Sequence, residues 1–199
     1  MGDPVIKSSM HSAKVSTLRC MRHLLFSLLM TATATCVADQ VPFAIVYGPK
    51  AAFNIAAPDG WVIDNGAGAQ QGFPCVLFRK GQTWQTAEPF MYAKVASTSV
   101  EDAESFAKTA ITEMKKERGD YEVKRVGSGK TKGGEEYFIN EYSPGEKYPR
   151  IERVAYVQLP NAIAYVVYSA ADKAMFRKHE GALKQLLGSF SGMTREQKE

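Results

Sequence analysis

The chain has 199 residues, 45% of them hydrophobic and 23% charged, with a formal net charge of +4. That length and balance describe one ordinary globular domain and exclude a fibrous or disordered chain. No apolar run reaches the roughly 20 residues of a membrane-spanning helix, and three scattered cysteines with three histidines exclude a zinc module or a disulfide framework.

Residues 21–38 read MRHLLFSLLMTATATCVA, with a positive end at Arg22 and His23, an apolar core from Leu24 to Met30, and small residues after it. This is the pattern of a secretory signal peptide, whose core is too short to remain as an anchor. The expectation is a leader over Met21–Ala38, cut after Ala38 or alternatively after Ala34, and a periplasmic or secreted product. Residues 1–20 lack hydrophobic periodicity and read as a non-native extension upstream of a start at Met21. Thr33 and Thr35 argue against Cys36 as a lipid-modified residue. Taking Lys7, Lys14, Arg19 and Arg22 from 25 basic residues, and Asp3 from 21 acidic ones, leaves a formal charge of +1. A near-neutral domain gives no electrostatic ground for nucleic acid or an anionic membrane as partner. Cys75, the one cysteine past the leader, is expected as a small buried side chain.

The rest reads as a single domain over 39–193 and a polar tail over 194–199. Phe43–Tyr47 and Ala52–Ala56 are short strands, the second stopped by the Pro58-Asp59-Gly60 turn. Trp61–Ile63 resumes an extended run, and Asp64–Gly72 is a loop. Cys75–Arg79 and Phe90–Ala96 are apolar strands joined by Gly81–Glu88. Over residues 100–118, Ala103, Phe106, Ala107, Ala110, Ile111 and Met114 share one helical face. Ser99 is the expected cap, and Gly119 the expected stop after Lys115, Lys116 and Arg118. Four further strands follow: Glu122–Val126, Glu135–Tyr142, Arg150–Leu159 and Ala162–Ser169. The last is apolar almost throughout and is expected at the centre of the sheet. Asp172–Phe190 closes the domain as a second helix, with Ser169 and Asp172 at cap spacing. Strands joined by short turns cannot be parallel. The expected fold is therefore α+β, a largely antiparallel sheet with a long helix on each face.

Phe53-Asn-Ile-Ala-Ala-Pro58 running into Asp59-Gly-Trp61, with a closing helix that ends Leu186-Leu-Gly-Ser-Phe190, resembles the PsbP/Mog1-like superfamily of α/β/α sandwiches. Gly60 to Trp84 and Phe90 to Val95 resemble, more narrowly, a group of secreted bacterial proteins without an assigned activity. The resemblance implies the fold and an accessory or binding role, since such relatives include photosystem subunits, a GTPase regulator and effector chaperones. Its motifs are structural and carry over no functional residue.

Motifs for catalysis are incomplete. Gly127-Ser-Gly-Lys-Thr131 has the end of a phosphate-binding loop, but Lys124 stands where the first glycine belongs and no helix follows, so it reads as a hairpin tip. Gly66-Ala-Gly68 lacks a correctly spaced third glycine and reads as an irregular, possible ligand-contacting loop. His179 falls between Phe176 and Leu183 at helical spacing and reads as a structural histidine. Glu101-Asp102 and Glu135-Glu136 do not converge as an acid–base pair would. Nothing implies a metal or cofactor.

Aromatic and arginine residues are the remaining lead. Trp61, Trp84, Tyr142 and Tyr148 fall in or beside loops, Arg150 and Arg153 lie on one strand, and Arg79 is close in sequence to Trp84. Rings with arginines are the usual content of a protein-contact hot spot. The sequence therefore points to an exported, non-catalytic binding or accessory protein. Its partner would be another envelope protein or a small ligand, met through loops 64–72, 80–88 and 143–150. Two rivals are a small-ligand carrier with a pocket lined by Tyr165, Tyr168 or Phe176, and a hydrolase built on a serine and His179.

Overall fold

A computed structural model describes residues 42–96 and 102–193. The leader, the upstream extension, Ser99 and the tail lie outside the described residues. The chain separates into units 1–38 and 39–199, and every described residue belongs to the second.

Among the described residues, alternating hydrophobicity becomes ten strands: β1 (Phe43–Tyr47), β2 (Ala52–Ala56), β3 (Trp61–Asp64), β4 (Val76–Arg79), β5 (Phe90–Val95), β6 (Val123–Lys130), β7 (Glu136–Tyr142), β8 (Ile151–Leu159), β9 (Ala162–Ala170) and β10 (Ser191–Met193). The α-helices among the described residues are α1 (Ala103–Arg118) after β5, then α2 (Lys173–His179) and α3 (Gly181–Ser189) after β9. The fold is mixed α and β with antiparallel pairing throughout. The strands form two sheets rather than one, ordered β3-β4-β5-β9-β8-β7-β6 and β1-β2-β10.

β9 is central, as its apolar run demands. Ala164, Val166 and Tyr168 enter one core, while Ile163 and Val167 enter the core on the opposite face. The first core also takes Leu183, Leu186, Leu187 and Phe190, with Phe190 stacked on Phe53 at 4.5 Å between ring centroids. Cys75 is fully buried here, and burial, with the nearby charge of Asp64, pushes its thiol up to about 12.

α1 covers the second core with Ala103 and Ala107, and Phe106, Ile111 and Met114 pack beside them. Its cap is Asp102, not Ser99: the carboxylate accepts from Ser105 N at 2.8 Å and from the Ser105 hydroxyl. Those two bonds hold the Asp102 carboxyl below the usual range. Gly119, at φ +81°, ends the helix in a region that side chains avoid.

A long helix on each face is not what forms. The C-terminal helix is divided into α2 and α3 at Glu180, just before Gly181, a residue type of low helix propensity. Asp172 alone caps α2, through Met175 N at 2.8 Å. Ser169 is instead a fully buried strand residue.

Two further elements depart from expectation. Gly127-Ser-Gly-Lys130 is not a hairpin tip but the second half of β6, and the turn starts at Thr131 and uses Gly134 at φ +91°. β10 was not anticipated. It pairs with β2 and is anchored by Gly192 N, which donates to Glu135 Oε1 at 2.7 Å. The second oxygen of Glu135 accepts from the Thr131 hydroxyl, so this acid ties the β6–β7 turn to the chain's last strand.

Candidate interaction surface

Strand register decides which predicted residues can meet. Val76 pairs with Tyr92 and Phe78 with Phe90, so these four share the α1 face, while Leu77 and Arg79 turn to the other. Arg79 lies over the Trp61 ring at 6.0 Å, on the face opposite Trp84. Arg153 also belongs there: it bonds Glu141 and Glu180 at 2.8 and 2.9 Å and lies over Phe176. The expected grouping of Arg79 with Trp84, and of Arg153 with Arg150, is therefore corrected. Trp61 is corrected too, since only 2% of it is exposed and it belongs to the core.

Trp84, Tyr142, Tyr148 and Arg150 do share the α1 face. Phe73 and Trp84 come from two loops and meet at 5.7 Å, Trp84 meets Phe90 at 5.3 Å, and Phe73 meets Tyr92 at 4.5 Å. All four rings are half-buried. The Trp84 indole donates to Gln71, and Lys94 lies 5.8 Å from the Phe73 ring. The loops are shaped from within. Asp64 accepts from the amides of Gly66 and Ala67, and the Asn65 side chain reaches the carbonyls of Ile45 and Pro74. Gly68 leaves no room for a side chain, because an added Cβ would fall 2.5 Å from Val76.

Arg150 extends this cluster. Its guanidinium lies 4.7 Å from the Phe90 ring, bonds Glu88 at 2.9 Å and donates to Ser169 at 2.8 Å. Glu88 also accepts from Ala171 N. Beyond it lies Glu152, 3% exposed, which accepts from Arg118 and from the Tyr148 hydroxyl, both at 2.8 Å. Arg118 also stacks over Tyr148 at 3.9 Å. Burial works against its charge, but Glu152 outweighs that and raises its pKa. Arg118, Tyr121, Tyr142, Tyr148, Arg150 and Glu152 leave a pocket of about 10 Å³, room for one water. Tyr142 is itself buried, and its hydroxyl shares a hydrogen bond with that of Tyr156.

Burial raises the pKa of Tyr92, Tyr142, Tyr148, Tyr156 and Tyr165. All five hydroxyls are therefore neutral at ordinary pH. Phe73, Glu88, Phe90, Arg118 and Glu152 were missed by sequence reasoning. Only Arg118 had a visible signal, and there it read as a basic helix end.

The other anticipated sites come apart. Tyr168 is fully buried and donates to Phe176 O at 2.8 Å, whereas Tyr165 lies on the opposite face against Phe106, so the three residues line no common pocket. His179 stands edge-on to Trp61 at 6.4 Å. Burial, then Arg79 and Lys178, keeps it below the usual histidine range. Among the described residues no hydrogen bond joins it to a serine or a carboxylate, and no helix is long and apolar enough to cross a membrane. A wider open groove of about 600 Å³ lies at the other end of the strands, between Gly134, Glu135, Leu159 and Met193.

No protein-family model matches the sequence, and no curated protein aligns with it. Among solved structures the chain is similar to the solution structure of cyanobacterial PsbP (CyanoP) from Synechocystis sp. PCC 6803. The two are 14% identical over 71% of this chain and 86% of that one, with a TM-score of 0.47. A likeness of that extent assigns no residue here.

Proposed function

We propose that this is an exported, non-catalytic binding or accessory protein built as a PsbP/Mog1-like sandwich. Its partner, another protein of the cell envelope, is met by the loops that carry Phe73, Trp84 and Tyr148. The observation that carries the reading is the half-buried ring cluster Phe73–Trp84–Phe90–Tyr92, supplied on the α1 face half by two loops and half by β5. Rings held by loops and flanked by arginine are the usual anchors of a protein contact. Further support comes from the reactive candidates: the Cys75 thiol is buried and the His179 ring faces Trp61 and Arg79.

Arg150 plays a supporting part in this reading. Glu88, Ser169 and Phe90 already engage its guanidinium, so it holds the loop with Tyr148 in place rather than reaching for a partner. The test is capture from an envelope extract of the source cells by the tagged protein and by its Trp84→Ala and Tyr148→Phe variants. A discrete partner retained by the parent and lost by Trp84→Ala, with folding intact, supports the reading. The same partner retained by Trp84→Ala removes these loops from it.

A further inference from the structure

Four arginines among the described residues are half-buried, and three of them are matched with acids. Arg118 bonds Glu152, Arg150 bonds Glu88, and Arg153 bonds Glu141 and Glu180, all at 2.8 or 2.9 Å. Arg79 is the exception. Among the described residues neither a carboxylate nor a hydrogen-bond acceptor engages its guanidinium. What it touches is apolar: the Trp61 ring at 6.0 Å and Gly60, where an added Cβ would fall 3.3 Å from Arg79 Nη1. Gly60 stands at φ +73°, which suits glycine and leaves that space open. The fork is therefore held against the fold with its donors unspent, and a guanidinium cannot shed its charge to relieve the mismatch.

The surroundings add positive charge. Strand pairing sets Arg79 beside Trp61, and α2 brings His179 edge-on to the same ring at 6.4 Å, directly after Lys178. The acids close by in the chain do not balance this. Glu180 is bonded to Arg153, and Asp59, exposed in the turn before β3, forms no ion pair. Burial first, then the charges of Arg79 and Lys178, discourage a proton on His179. Arg79 and His179 thus act on one another beside the Trp61 ring.

We propose that Arg79 and the Lys178–His179 end of α2 form a binding site for a phosphate group, free or carried on a lipid headgroup. The planar fork takes two phosphate oxygens side by side. The cations beside it favour a doubly charged group over a carboxylate. A phosphate seated on Arg79 cancels the repulsion felt at His179, so the ring gains a proton as the ligand binds. This site lies on the opposite sheet face from the Trp84 loops and does not depend on the proposed protein contact.

The His179 imidazole reports on the site. Its pKa is followed by NMR in the full chain at constant ionic strength, alone and with inorganic phosphate, dihexanoyl phosphatidic acid or acetate. The His179→Gln spectrum assigns its resonance among the three histidines. Expected with phosphate is a rise of about half a pH unit, the effect of one charge several ångströms away through water, and none with acetate. A rise with phosphatidic acid alone assigns the site to a lipid-borne phosphate. Arg79→Gln should raise the His179 pKa without ligand and abolish the response to phosphate. Arg79→Lys, which keeps the charge and loses the fork, should weaken phosphate binding about ten-fold and serves if the glutamine variant fails to fold. Three results overturn the proposal: no rise with either phosphate probe, an equal rise with acetate, or an undiminished response in a folded Arg79 variant.

Discussion

The two faces of the seven-stranded sheet solve the same burial problem with different materials. Under α2 and α3 the core is mainly aliphatic, with Leu183, Leu186, Leu187, Val166 and Met91 closed around Trp61, Phe53 and Phe190. Under α1 the face is built from tyrosines, phenylalanines and ion pairs, with Glu152 buried between Arg118 and Tyr148. Aliphatic packing needs only shape. A tyrosine face must also place every hydroxyl, and it presents polar rims where helix cover ends. On the proposed function the first face serves folding and the second carries the contact.

The two tryptophans test that contrast most sharply. Trp61, 2% exposed, anchors the aliphatic side, and Trp61→Ala should cost about 4 kcal/mol, as for other buried aromatics. Next in size is Glu152. Replacing it with Ala strands the Arg118 guanidinium and should cost about 3 kcal/mol in chemical denaturation. A Glu152→Ala variant as stable as the parent would show that the pair is ornamental to folding.

Alkaline titration comes third. Burial holds tyrosine pKa values above the usual 10 at Tyr92, Tyr142, Tyr156, Tyr165 and, across the sheet, Tyr168. A phenol whose folded pKa is raised contributes stability that is complete below the unfolded value of about 10 and is lost as pH climbs beyond it. The melting temperature should therefore fall steeply above pH 10, together with delayed phenolate absorbance. A flat profile to pH 11 would contradict the buried hydroxyls. Smaller again is Trp84→Ala, expected to cost about 1 kcal/mol because the ring is only half-buried. At the acid end, the lowered pKa values of Asp102 and Glu104 contribute stability present above about pH 4 and lost below it. Asp102→Asn should therefore blunt the acid limb of the melting profile slightly.

The regular parts of this molecule were legible because they obey a period. The apolar run Ala162 to Ser169 announced a central strand, and the spacing from Ala103 to Met114 announced α1. What escaped was set by choices that period does not encode. Ser99 and Asp102 both suit a cap, and only geometry picks the one whose carboxylate reaches Ser105 N. Trp61 and Trp84 each border a turn, yet one begins a core strand and the other caps two loops. Arg150 and Arg153 are three residues apart, an odd spacing that sends extended side chains to opposite faces. β10 is the three residues Ser-Gly-Met, too short for any pattern, and it depends on Glu135 from 57 positions away.

The central claim is that the loops around Trp84 are the contact surface of this protein. Gln85 is exposed in the turn beside that ring, and Lys184 is exposed on α3 across the sheet. A photo-reactive benzoylphenylalanine placed at each position, and irradiated in the intact envelope of the source cells, measures the claim directly. The account predicts one discrete adduct from position 85, absent when Trp84→Ala is added, and none from position 184. Adducts from position 184 alone, or an adduct at 85 indifferent to Trp84, would contradict it.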